Sequence, residues 1–211
     1  MKSALGLLLC LLIAAIAPAD AAEIAVAVRD QDGKAAVDAV VSVWPADRRA
    51  VPSASSQPHV IDQRNEAFVP FVTVMRRGDT LSFKNSDRTR HHVYSFSPVK
   101  PFEMVLNPGE TSQALKFEQS GVAAIGCNIH DKMLAYAFVT DTPWAAQTDA
   151  QGRATIANLP KGKYRAEVWH PRMTIDGGAP EQTIVVDANV EATFEVRLNP
   201  LRANSAHGRH Y

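Results

Sequence analysis

Cysteine is scarce in this chain, with two in 211 residues, and neither sign of charge is in excess, with 22 Lys and Arg against 22 Asp and Glu. A basic surplus would mark a nucleic-acid or anionic-membrane binder, so its absence removes those two classes. Also missing, outside the first twenty or so residues, is any stretch of 11 or more with an apolar helical period. Helices are therefore not expected to organise the molecule. What is present is 46% hydrophobic and 21% charged residues, the composition of a packed globular protein. The length admits one large domain or two small ones.

The longest apolar run, Ala4 to Ala17, follows Lys2 and gives way to Pro18, Ala19, Asp20 and Ala21. Small residues at that spacing after a short apolar run predict a secretory signal peptide over residues 1–21, cut after Ala21 or at neighbouring Ala19 or Ala22. The run falls short of the roughly 20 apolar residues of a membrane span. Leu9 stands before Cys10 where a lipid anchor needs a small residue, and no twin arginine precedes the run. The expected location is the bacterial periplasm, without a stable membrane anchor, any metal being acquired after export. Cleavage removes Cys10 and leaves Cys127 as the one cysteine, which excludes an intramolecular disulfide framework.

Period-two runs bounded by turn residues predict an all-β fold. Ile24, Val26 and Val28 alternate up to the turn Asp30-Gln31-Asp32-Gly33, and a second strand runs through Val41 and Val43. Pro45 to Pro58, with three prolines and three serines, reads as a linker. Further strands are expected at Phe71 to Val74, Leu81 to Phe83, Val93 to Phe96, Leu115 to Phe117, Ala123 to Cys127 and Leu134 to Val139. Beyond Asp141 they follow through Ile156, from Tyr164 to Trp169, from Thr183 to Val186 and from Ala192 to Leu198. In the last, Phe194, Val196 and Leu198 share one face and Thr193, Glu195 and Arg197 the other. Short strands at this spacing suggest a sandwich or Greek-key barrel.

The chemistry concentrates in Gly126 to Leu134, Gly-Cys-Asn-Ile-His-Asp-Lys-Met-Leu, where Cys127, His130 and Met133 recur at every third residue between two strands. In one tight loop these donors can turn toward one point, and a metal there needs a fourth ligand from elsewhere. His91, opening the strand after Phe83-Lys84-Asn85-Ser86-Asp87, is the candidate. Two imidazoles, a thiolate and a weak axial thioether suit copper electron transfer, whereas structural zinc prefers four Cys or His ligands. Each residue alone has a plainer reading as core filler or structural histidine. Their joint occurrence favours a metal site.

With those residues in view, residues 58–140 resemble a cupredoxin of the plastocyanin and amicyanin type. The Phe-x-Asn stretch before His91 and Val93 and the spacing Cys127-x2-His130-x2-Met133 carry the likeness, and Asp62-Gln63 through His130 is similar to exported cupredoxins labelled methylamine-utilisation proteins. Strand alternation lets only one of His91 and His92 face a metal, and the resemblance picks His91. The implied metal ligands are His91, Cys127, His130 and Met133, the cofactor one copper ion cycling between Cu(II) and Cu(I), and the function non-enzymatic carriage of single electrons. Implied partners are redox proteins, a cytochrome or a dehydrogenase, met through an apolar patch around His130 that includes Met133 and Leu134. The neutral chain suggests modest salt dependence. Copper binding or delivery without a redox role is the alternative.

Two departures from those relatives stand out. His92 occupies the position of an Asn that ties the ligand loops together, and either replaces that tie or only faces solvent; Ile129 replaces a Pro, so its N–H could donate to the thiolate and raise the reduction potential. Asp131, also in place of a frequent Pro, either caps the loop or sits exposed.

The flanking pieces, 22–48 and 141–199, resemble a carboxypeptidase regulatory-like (prealbumin-like) sandwich through Asp30-x-x-Gly33-Lys34, Thr148-Asp149-x-x-Gly152 and Leu159-Pro160-x-Gly162-x-Tyr164. The cupredoxin-like stretch would then interrupt it; the rival is that residues 23–44 form an extra hairpin of the central domain. His170 reads as a turn residue and His59 as lying before the first central strand. His207 and His210 fall in a polar tail, 200–211, that is expected to fray.

Overall fold

The computed structural model describes residues 21–47, 56–173 and 178–200, and every regular element among them is a strand. Residues 1–20 of the expected signal peptide, 48–55 of the expected linker and the tail beyond Pro200 lie outside the described residues. In chain order the strands are β1 (Ala22–Asp30), β2 (Val40–Pro45), β3 (Pro58–Gln63), β4 (Phe68–Val69), β5 (Val72–Arg76), β6 (Thr80–Asn85), β7 (His91–Ser95) and β8 (Phe102–Leu106). They continue with β9 (Leu115–Lys116), β10 (Gly121–Cys127), β11 (Leu134–Thr140), β12 (Ala145–Gln147), β13 (Arg153–Leu159), β14 (Gly162–Trp169), β15 (Glu181–Val186) and β16 (Val190–Val196).

Four sheets result, in the orders β13-β1-β16, β12-β2-β14-β15, β4-β3-β6-β9 and β5-β11-β10-β7-β8. Three of them are mixed, because β1 runs parallel to β16, β3 to β6 and β5 to β11. The first two sheets enclose one apolar core, with Ile24, Val41, Tyr164 and Phe194 at its centre. The other two enclose a second, with Phe83, Val93, Ile125 and Cys127. The chain leaves the first pair after β2 and re-enters it at β12. This is an all-β fold consistent with a cupredoxin-like sandwich in its central sheets. Each strand forms because its apolar positions alternate: in β1 Ile24, Val26 and Val28 are buried while Glu23 and Ala25 are exposed.

The flanking motifs prove to be structural devices. Asp30 Oδ1 accepts the amides of Asp32 and Lys34 (3.0 and 2.9 Å), and Asp149 Oδ1 accepts those of Gln151 and Arg153 (2.8 and 2.9 Å). Each carboxylate closes a turn whose glycine, Gly33 or Gly152, sits at φ near +70° (75° and 70°). A Cβ on Gly152 would stand 2.6 Å from the Val28 carbonyl oxygen, so this position excludes a side chain on two counts. The Thr148 hydroxyl accepts from Ala39 N–H and donates to the Ala36 carbonyl, tying the two turns together. Tyr164 is fully buried and its hydroxyl donates to Pro160 O at 2.7 Å, which accounts for the Leu-Pro-x-Gly-x-Tyr pattern.

One strand is buried on both faces. Val41 and Val43 of β2 enter the first core, while Val40 and Ser42 face the other way and are buried too. Val40 pairs in register with Trp169, whose ring packs against Tyr136 and Phe138 of β11 at centroid distances of 5.6 and 5.4 Å. The second sheet thus rests on the outer face of the five-stranded one. It covers the β11 side and leaves Leu134 and Phe96 exposed.

One histidine expectation changes, while His170 heads a turn as expected, its carbonyl accepting from Met173 N–H at 3.0 Å. His59 does not precede the central strands; it lies within β3 and its Nε2 is 3.0 Å from Asp79 Oδ2, because Pro58 opens that strand. His170 is 5% exposed, its Nε2 donating to Val37 O (3.0 Å) and its Nδ1 accepting from Arg172 N–H (2.9 Å), so the ring is a neutral brace between loops. Burial pushes its pKa below the ordinary histidine value, outweighing the Val37 carbonyl. The unfolded chain then takes up a proton below about pH 6.5 that the folded chain refuses. Stability is expected to be complete above that pH and to fall as pH drops through the histidine range. Chemical denaturation at stepped pH checks this, with His170→Ala expected to flatten the slope there.

Candidate metal centre

Strand parity aims the ligands. In β10, Ala123, Ile125 and Cys127 point into the core while Ala124 and Gly126 point out; in β7, His91, Val93 and Ser95 are buried and His92 and Tyr94 are less so. His91 therefore faces inward as the first residue of β7, and Cys127 as the last of β10, on strands paired to each other. The tight turn between β10 and β11 then returns His130 toward them, with Met133 N–H donating to the His130 carbonyl at 2.9 Å.

His91, Cys127 and His130 offer ligand atoms that all lie within 4.8 Å of one another. Cys127 Sγ stands 3.6 Å from His91 Nδ1 and 3.9 Å from His130 Nδ1. A thiolate and an imidazole nitrogen bound to one first-row ion at about 2.3 and 2.1 Å, opened to about 120°, stand ~3.8 Å apart. The three donors are thus spaced around a hole of ionic size. Cys127 is a buried free thiol, His91 is fully buried, and Met133 is 3% exposed in the same apolar cluster as Cys127. Soft sulfur beside two imidazoles fits copper better than a hard, oxygen-seeking cation.

Surrounding groups set the imidazole that faces inward. His91 Nε2 donates to Asp87 Oδ2 at 2.9 Å, which leaves the Nδ1 lone pair directed toward the thiol. Asp87 also accepts the amides of Asn65 (2.6 Å) and Glu66 (3.1 Å), the tip of the β3–β4 turn, where both residues have positive φ. Partial burial opposes its ionisation, but the Glu66 amide, the His91 ring and the Asn65 amide outweigh it and hold the carboxyl below its ordinary range. Asn85 is buried and braces the same loop, donating to Thr89 O and Leu106 O (both 2.9 Å) and accepting from Asp87 N–H (3.0 Å). Glu66 Oε1 stands 3.7 Å from His130 Nε2, so this turn reaches both histidines. Nothing in the spacing of the chain pointed to Asp87 or Glu66 as partners of the site.

The two departures now resolve differently. His92 does tie the ligand loops: its carbonyl accepts from Asn128 N–H at 2.9 Å, its Nδ1 is 3.4 Å from Asn128 Nδ2, and its Nε2 is 2.7 Å from Glu103 Oε1. The expected Ile129 bond is not made. Among the described residues no hydrogen bond joins its N–H to Cys127, whose sulfur is flanked by the two imidazoles, and Ile129 is 49% exposed. A raised potential therefore has no Ile129 bond behind it. Asp131 is exposed and Gly126 carries no side chain because the Tyr94 ring lies over it, 2.9 Å from where a Cβ would stand.

No protein family and no curated protein matches the chain. Among solved structures it is similar to a copper-containing nitrite reductase from Thermus scotoductus SA-01, at 22% identity over 46% of this chain and 25% of that one, TM-score 0.37. It therefore spans about a quarter of that protein's length. It is also similar to a purple cupredoxin from Nitrosopumilus maritimus (20% identity, 38% of this chain, 98% of that one, TM-score 0.35). Amicyanin from Paracoccus versutus matches at 14% identity over 46% of this chain and 97% of that one, TM-score 0.35. In its own residues the chain holds a thiol and two imidazoles arranged to coordinate one metal ion.

Proposed function

We propose that this chain is a copper-binding protein, in which the Cys127 thiolate, Nδ1 of His91 and of His130 and the Met133 thioether would hold one ion. The observation that carries this is the buried thiol flanked by two imidazole nitrogens at 3.6 and 3.9 Å. Copper bound there supplies a Cu(II)/Cu(I) couple. Cys127 gives up its proton on loading, Asp87 holds the His91 tautomer, the central sandwich excludes water, and the partly exposed edge of His130 reaches the surface.

The finer reading is that the site carries single electrons between redox proteins, a cytochrome or a dehydrogenase, in the periplasm. Four protein donors, if Met133 joins the cluster, would leave no coordination position for a substrate, which supports a carrier and not an enzyme. Within this proposal, 58–140 is the copper domain and 22–48 with 141–199 a separate prealbumin-like sandwich. The second reading is copper storage or delivery, which needs only the donor cluster and nothing of its redox behaviour.

Addition of Cu(II) to the purified chain, followed by a visible spectrum and a voltammogram, separates the readings. An intense thiolate-to-copper band with reversible cycling is the expected result. A colourless complex that holds only Cu(I) and does not cycle would favour delivery, and failure to bind copper would remove both.

A further inference from the structure

We infer that Glu66 is a positioning residue for His130, kept in an unfavourable backbone conformation because its carboxylate faces the outer edge of that ring, which deepens the copper-binding reading and rests on it for the metal. The tip of the β3–β4 turn is Arg64-Asn65-Glu66-Ala67. It is closed by Arg64 N–H to Ala67 O at 2.9 Å and Ala67 N–H to Arg64 O at 3.2 Å. Both central residues have positive φ, 55° at Asn65 and 56° at Glu66. Positive φ at both positions is the signature of a two-residue type I′ turn, whose preferred sequence is Asn-Gly. Asn65 suits its place, because a short polar side chain tolerates the left-handed region. A glutamate at the glycine position does not, and the strain persists because Asp87 grips both amides of the turn, at 2.6 and 3.1 Å.

The grip of Asp87 does not account for a glutamate, since glycine would offer the same N–H. What the side chain adds is a carboxylate whose Oε1 stands 3.7 Å from His130 Nε2. That is beyond a direct hydrogen bond, so the group acts as a charge facing the ring. Arg64 beside it is engaged by Asp62 at 3.4 Å, and among the described residues no Lys or Arg pairs with Glu66. A negative charge at Nε2 favours the tautomer that carries its proton there and turns the Nδ1 lone pair toward Cys127 Sγ, 3.9 Å away. The same charge favours Cu(II) over the less positive Cu(I). Asp87 serves His91 in the same way from the buried side, so one turn sets both imidazoles. The Glu66 side chain is 67% exposed, which makes its effect smaller and sensitive to salt.

Ring 15N spectra of the metal-free full chain, at about pH 8 where imidazoles are neutral, read the positioning without copper. Glu66→Gly and Glu66→Gln are each expected to shift the His130 tautomer ratio about twofold to fivefold away from Nε2–H, the size of an exposed charge interaction, while His91 stays as it is. Asn65→Gly relaxes the same turn without removing a charge and should leave His130 unchanged. Both glycine variants should melt no lower than the wild type, because glycine adopts this φ freely. Chelator competition for Cu(II) and for Cu(I) should then show their affinity ratio falling about twofold to fivefold in both Glu66 variants at low salt, and less at about 200 mM. The inference is overturned by an unchanged tautomer ratio in the Glu66 variants, by the same shift in Asn65→Gly, by an affinity ratio that Glu66→Gln leaves alone, or by a melting temperature that falls with Glu66→Gly. Failure to bind copper removes only the copper-binding reading, since the tautomer is measured without metal.

Discussion

Cys127→Ser is expected to leave a folded protein that no longer shows the intense visible absorption on Cu(II) addition. That band requires a thiolate donating into copper, and a serine hydroxyl neither ionises near neutral pH nor offers a soft donor. The remaining imidazoles, held by their own contacts, can still gather a metal weakly. Loss of a direct ligand should lower copper affinity by more than the roughly 10–100-fold that follows loss of a group supporting a ligand. Competition against a chromophoric chelator measures it. Placing a hydroxyl where Cys127 is 4% exposed costs about 1–3 kcal/mol in the metal-free protein, which a thermal melt resolves from global unfolding. A persistent band in the serine variant would show that the sulfur is not a ligand.

Asp87→Asn is expected to have the second largest effect, although Asp87 touches no metal. The carboxylate accepts three donors, from His91, Asn65 and Glu66, and an amide of the same shape loses the charge that strengthens each bond. It must also turn its own NH2 toward one of those donors. His91 then loses both orientation and basicity, and copper affinity should fall 10–100-fold, the usual order for such a partner. A less basic imidazole stabilises Cu(II) less than Cu(I), so the reduction potential should rise. Chelator competition and voltammetry read the two effects separately, and a variant with unchanged affinity and potential would show that Asp87 only anchors the β3–β4 turn.

Much of the candidate site was legible because strand geometry is local. A period of two, broken by the turn after Cys127, is enough to place Cys127 and His130 on one loop and to let only one of His91 and His92 face the interior, since adjacent strand residues point to opposite faces; the choice of His91 came from the resemblance. The partners of those residues were not legible. Asp87 meets Asn65 and Glu66 only because β3 pairs with β6 in parallel register, a choice the alternation of neither strand announces. The thiolate bond expected of Ile129 failed for a related reason: whether an N–H reaches sulfur depends on how the loop turns, and composition does not set that. Strands β3, β4, β8 and β12 went unread, being short or opened by proline and polar residues.

The scarcity of cysteine, the absence of helical period and the Cys-x2-His-x2-Met loop are properties of the chain alone. They determined an all-β protein with Cys127 placed between two strands where a metal could meet it. Only the tertiary structure decided that β2 is buried on both faces, that both ring nitrogens of His170 brace loops, and that Asp87 and Glu66 meet the two histidines of the site. The reason is physical: alternation and donor spacing arise between residues close in sequence, whereas burial on a second face, tautomer and local charge depend on which distant strands come to lie together.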